Sequence, residues 1–124
     1  MHKVNPVGWF EIYVQDMDRA KRFYEMVLQT QLVQLDATIP DMWCFPMDDE
    51  AYGAPGALFK MQGVPSGPGG TLVYFSVEDC AEAEPRVEAN GGRVYKPKFS
   101  IEPWGFTALI FDTEGNMIGL HSKQ

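Results

Sequence analysis

Few side chains in this 124-residue chain could do chemistry, and the best placed are Glu11 and His121. Glu11 lies in an alternating segment, with Trp9 and Tyr13 on its own parity and the apolar Phe10, Ile12 and Val14 on the other. A carboxylate and an imidazole brought to one ligand can serve as general base and general acid, which suits proton abstraction next to a carbonyl. The plainer alternative has Glu11 facing solvent or pairing with a lysine such as Lys60, and His121 solvated near the C-terminus. The other histidine, His2, falls at the N-terminus. Cys44 and Cys80 form no CxxC or zinc-type spacing, and Cys44, between Trp43 and Phe45, has no activating base beside it in sequence. A divalent ion needs several N, S or O ligands in fixed geometry, and Glu11 and His121 supply two at most, so no metal and no other cofactor is expected.

The elements that must position these residues follow from periodicity. Residues 7–14 (VGWFEIYV) predict a strand. Asp16 is a good N-cap, and Ala20, Phe23, Tyr24 and Val27 then recur at helical spacing as one buried stripe. Short strands are expected at 32–35, 42–45 and 56–61, with a turn at Asp48-Asp49-Glu50. Residues 63–70 (GVPSGPGG) form a linker by composition. The pattern then restarts: a strand at 71–77, Asp79 as a second cap with Glu82 three residues on, and Ala83 and Val87 on a buried face. Pro85 removes a helical hydrogen bond, so this helix is expected either to begin late, near Glu84, or to kink. Strands follow at 93–96, 104–111 and 116–121, the last two joined by a turn at 112–116 (DTEGN).

The halves repeat. A shift of 63 residues carries Asp16 onto Asp79 and Gly56 onto Gly119. The order of elements is stronger than the letters: strand, Asp-capped helix and three strands, twice. The expected architecture is α+β, a single domain over 1–124 built from two tandem βαβββ modules, 7–62 and 71–124, joined by the linker 63–70.

Bulk composition agrees with a globular chain, at 45% hydrophobic and 22% charged residues. A net charge of −7, with scattered Lys and Arg, excludes nucleic acid and anionic membrane surfaces as partners. No stretch approaches the ~18 apolar residues of a membrane span. The start, residues 1–6, lacks the apolar core of a signal peptide, so a reduced cytoplasmic protein with two free thiols is expected.

Residues 10–28 (FEIYVQDMDRAKRFYEMVL), 73–83 (VYFSVEDCAEA), Gly91-Gly92 and 112–122 (DTEGNMIGLHS), in this order and spacing, resemble the vicinal-oxygen-chelate superfamily of glyoxalase I, extradiol dioxygenases and bleomycin-resistance proteins. More narrowly, the chain is similar to a glyoxalase-related group without an established activity. The resemblance implies that the modules curl into a cup-shaped mixed sheet. Metal-dependent members place one ligand seven residues before each Asp cap, here Trp9 and Leu72, and a Glu three residues past the Asn of the last turn, here Gly119 with Gly56 as its repeat partner. None of these side chains binds a cation.

The resemblance implies a cup lined by Trp9, Glu11 and Tyr13, by Leu72, Tyr74 and Ser76, and by Gly119 and His121. Trp9, Tyr74 and Trp104 then either stack on a ligand or serve as core or dimer contacts; the two glycines either open room for a bulky ligand or reflect close strand packing. The expected function is metal-free binding of a small organic molecule. The alternatives are a glyoxalase-type lyase or isomerase using Glu11 and His121, a metal-dependent lactoylglutathione lyase or dioxygenase if the ligand register is misread, and a dimerisation module with a vestigial cavity. A homodimer is expected.

Overall fold

Two aspartates start the two helices. Asp16 accepts from the backbone N–H of Arg19 at 3.1 Å, and α1 runs Met17–Leu28, burying Ala20, Phe23, Tyr24 and Val27. Asp79 accepts from Ala81 N–H at 2.9 Å, and α2 runs Cys80–Ala89. The start near Glu84 does not occur: the helix begins at its cap and runs through Pro85. The carbonyl that Pro85 leaves without a helical donor belongs to Ala81, which is exposed, so water can replace the bond. The structure, a computed structural model, describes residues 7, 9–48, 50 and 55–124. The expectations for His2 and for the centre of the turn at Asp49 lie outside those residues.

Among the described residues seven strands complete the fold: β1 (Glu11–Tyr13), β2 (Met42–Cys44), β3 (Ala57–Phe59), β4 (Tyr74–Ser76), β5 (Arg93–Ser100), β6 (Phe106–Phe111) and β7 (Met117–Ser122). They form two sheets, ordered β1-β3-β2 and β4-β7-β6-β5, in which β1 pairs parallel to β3 and β4 parallel to β7. The strand expected at 32–35 shrinks to one bridge, Val33 to Cys44. Val33 and Leu35 are exposed, so apart from Leu32 this segment buries nothing that would reward pairing. The strand expected at 93–96 instead extends to Ser100, with register irregularities either side of Lys96. Pro97 is tolerated because β5 is the sheet edge, where a missing N–H costs no ladder bond.

One core cluster takes residues from both halves. The rings of Phe45 and Phe75 lie 5.1 Å apart, and Tyr24 packs edge-on to Phe45 at 5.7 Å.

The turn at 112–116 ties the second half to the first. Asp112 is buried and accepts from Tyr24 O–H at 2.6 Å, from Asn116 Nδ2 at 3.0 Å, and from the N–H groups of Glu114 and Asn116, each at 2.8 Å. Asn116 Nδ2 also donates to the carbonyl of Tyr13 at 3.0 Å. Glu114 accepts from Arg19 Nε at 2.7 Å, from Arg19 Nη2 at 2.9 Å, and from the N–H groups of Gln15 and Asp16 at 2.9 Å. Both carboxylates are satisfied across the module boundary, which is what lets them be buried. Burial, then the Asp112 charge and hydrogen bond, raises the Tyr24 hydroxyl well above its ordinary ionisation range.

Burial by itself would raise the Glu114 carboxyl, but the hydrogen bonds from Arg19, Thr113 and the Gln15 and Asp16 N–H groups outweigh it and hold the group at about 2, against 4.5 unperturbed. A carboxylate depressed on folding contributes stability that is full above its unfolded value and is lost as pH falls through its folded one. Asp112, raised by burial, works in the opposite sense. The stability difference between the native chain and Glu114→Gln should therefore shrink as pH falls from 4.5 to about 2. Urea unfolding across that window measures it; a difference independent of pH would contradict the clamp.

Candidate functional site

The second sheet carries a row of side chains across all four of its strands. Strand pairing sets Ser76 of β4 against His121 of β7, His121 against Thr107 of β6, and Thr107 against Phe99 of β5. With Tyr74 and Ile101, these four line an open groove of about 520 Å³. Alternation explains the row: Phe75, Ala108 and Leu120, one residue out of phase, belong to or pack against the core. His121 Nε2 lies 2.6 Å from the carbonyl of Trp104. A neighbouring cavity of about 410 Å³ shares Ser76 and His121 and continues to Glu78, Lys123 and Gln124.

Glu11 sits elsewhere. It lines a cavity of about 310 Å³ at the seam of the modules, with Tyr13, Thr71, Val73 and Asn116, whose lining does not include His121. Its carboxylate accepts from Trp9 Nε1 at 3.3 Å and from Tyr13 O–H at 3.1 Å, and no ion pair with Lys60 forms among the described residues. The hydrogen bond to Glu11, then burial and the Glu11 charge, raises the Tyr13 hydroxyl above its ordinary value. The Tyr13 ring stacks on Phe59 at 6.3 Å. Trp9 is partly exposed and Leu72 half-buried. Trp104 is 73% exposed and offers His121 its backbone carbonyl; its ring is not among the groove-lining groups.

Phe99, Ile101 and Thr107 escaped the sequence reading. Phe99 and Ile101 lie beyond Pro97, where the strand was expected to have ended. Thr107 stood in FTALIF as an ordinary strand residue whose polar parity against Ala108 and Ile110 was the available signal.

The register corrects the repeat. Glu11 faces Ala57 in β3, and Tyr74, its partner at a shift of 63, faces Gly119 in β7. Ala57 N–H donates to the Phe10 carbonyl and Gly119 N–H to that of Val73, so the counterpart of Gly119 is Ala57 (119 − 57 = 62), not Gly56. The positions that the resemblance implies for metal ligands, with the register applied, are Trp9, Leu72, Ala57 and Gly119, none with a donor side chain suited to a cation. Among the described residues no three His, Cys, Asp or Glu side chains gather to hold an ion. The described residues at these positions do not fit a resident metal.

The glycines close space rather than open it. A Cβ at Gly119 would strike the ring of Tyr74, and one at Gly56 the ring of Phe10. The costs differ. Gly56 has φ +73° and lies under a half-buried ring in the core, so Gly56→Ala combines left-handed strain with overpacking and should cost about 2 kcal/mol or more. Tyr74 is 51% exposed and can swing aside, so Gly119→Ala should leave the fold nearly as stable while moving one wall of the groove. Chemical denaturation of the two variants checks the contrast; equal losses would contradict it.

The family model of the Glyoxalase/Bleomycin resistance protein/Dioxygenase superfamily matches residues 6–120. No curated protein matches the chain. Among solved structures, a glyoxalase-related enzyme from Fulvimarina pelagi superposes with a TM-score of 0.75 at 19% identity, over 96% of this chain and 88% of that one. TnmS3, an antibiotic binding protein from Streptomyces sp. CB03234, superposes at 0.65 with 23% identity over 100% of both chains. A Zea mays glyoxalase I mutant gives 0.70 at 19% identity, with this chain covering 46% of its length. With the family model spanning nearly its whole length, and with a βαββ half followed by a βαβββ half, each pairing its first strand parallel to its last, the chain belongs to the Glyoxalase/Bleomycin resistance protein/Dioxygenase superfamily.

Proposed function

We propose that this protein binds a small organic molecule in the groove over its second sheet, and that it does so without a metal ion. The observation that carries the reading is the groove itself: about 520 Å³, walled by Tyr74, Phe99 and Ile101, with Ser76, Thr107 and His121 on its floor. A cavity of that size and mixture, largely apolar with a few convergent polar groups, suits a small ligand. The net charge of −7 favours neutral or cationic guests. That TnmS3 binds an antibiotic on the same fold supports the class of guest.

The acid–base alternative requires Glu11 and His121 to reach one substrate. They line separate cavities, and the Glu11 carboxylate already accepts from Trp9 and Tyr13. Binding is therefore the better supported reading. No helix among the described residues is long and apolar enough to cross a membrane. A homodimer in the cytoplasm completes the proposal, and sedimentation equilibrium reads the first part of it.

Ligand-observed NMR against a panel of planar aromatic compounds tests the reading. Tyr74→Ala should weaken any hit by roughly tenfold, the worth of an aromatic contact with its buried area. Glu11→Gln should leave affinity unaltered. Turnover of a hit that stops in Glu11→Gln while binding persists would establish the enzyme instead.

A further inference from the structure

The polar floor of the groove has a definite hydrogen-bonding sense. A carbonyl oxygen can only accept, so at 2.6 Å from Trp104 O the His121 Nε2 must carry the proton and donate it. In the tautomer protonated at Nε2 alone, the free lone pair lies on Nδ1, which has no partner among the described residues. Thr107 also lines the groove and its hydroxyl has no hydrogen-bond partner among the described residues; since no buried side-chain oxygen or nitrogen there lacks a partner, that hydroxyl is open to the groove. The Ser76 hydroxyl, on the other side of His121 in the same row, is likewise unpartnered among them. A ligand that displaces water from hydroxyls open to the groove must replace the hydrogen bonds it removes.

We propose that the row Ser76–His121–Thr107 is a recognition site for a ligand hydroxyl on an aromatic ring, so that the groove selects phenol-type molecules. This rests on the groove being the binding site. A phenolic O–H matches the row in both directions: it donates to His121 Nδ1, and its oxygen accepts from a Ser76 or Thr107 hydroxyl. An aryl ether keeps the acceptor and loses the donor, leaving Nδ1 facing an oxygen. A carboxylate also offers acceptors alone and must enter a chain of net charge −7. The walls fix the rest of the ligand. The Tyr74 ring lies over Gly119 on one side and Phe99 and Ile101 stand on the other, leaving apolar faces for a flat ring system.

The test is isothermal titration of the full chain with naphthol and with naphthyl methyl ether. Naphthol should bind about tenfold more tightly, the worth of one hydrogen bond whose loss leaves a desolvated acceptor. His121→Phe should reduce naphthol to the affinity of the ether, and Ser76→Ala, at an exposed position that does not threaten the fold, should narrow the preference. Equal affinity of the native chain for the two compounds, or a preference that survives His121→Phe, overturns the hydroxyl-recognition site while leaving the groove as a binding site. Failure of both compounds to bind overturns the groove reading and this one with it.

Discussion

The Asp112–Asn116 turn is the constraint on which the rest of the structure depends. It belongs to the second module but spends its polar groups on the first: Asp112 on Tyr24, Asn116 on the Tyr13 carbonyl, Glu114 on Arg19 and the start of α1. Hydrophobic contact between the halves is non-directional and would tolerate sliding. Buried carboxylates do not, because every lost partner leaves a desolvated charge or acceptor, at roughly 1–3 kcal/mol each. The turn therefore fixes how the β6–β7 hairpin stands against β1, and with it the position of His121, five residues beyond Asn116.

Once the hairpin is fixed, strand length decides where a ligand can sit. The first sheet has three strands of three residues each, which allow at most two rows of side chains on a face. In the second sheet β5, β6 and β7 run for eight, six and six residues, long enough for successive rows. Gly119 sits one row from His121, and its missing Cβ lets the Tyr74 ring lie down as a wall. The missing side chain at a position where the resemblance implies a metal ligand thus shapes one wall of the groove.

Much of this was legible in the sequence. Asp16 and Asp79 announced both helices because a cap is a local interaction, and the stripe of Ala20, Phe23, Tyr24 and Val27 did so because helical burial has a period. What the letters did not show was set by pairing. Val33 and Leu35 have strand-like side chains yet no core to cover. Pro97 reads as a strand end and turns out to lie on an edge. The slip that replaces Gly56 by Ala57 as the counterpart of Gly119 is a property of two strands together. The groove shows the same limit: Tyr74 and His121 followed from the repeat and the family resemblance, whereas Thr107 and Phe99 become neighbours only when β5, β6 and β7 are laid side by side.

The central claim is that the groove, and not a bound cation, holds the ligand. The most direct measurement is calorimetric titration of the purified, tag-free protein with Zn²⁺, Ni²⁺ and Mn²⁺, followed by titration of a groove ligand in the presence and absence of a chelator. The account predicts no stoichiometric metal binding and a ligand affinity that the chelator does not change. One equivalent of tightly bound metal, or ligand binding that disappears on chelation, would contradict it.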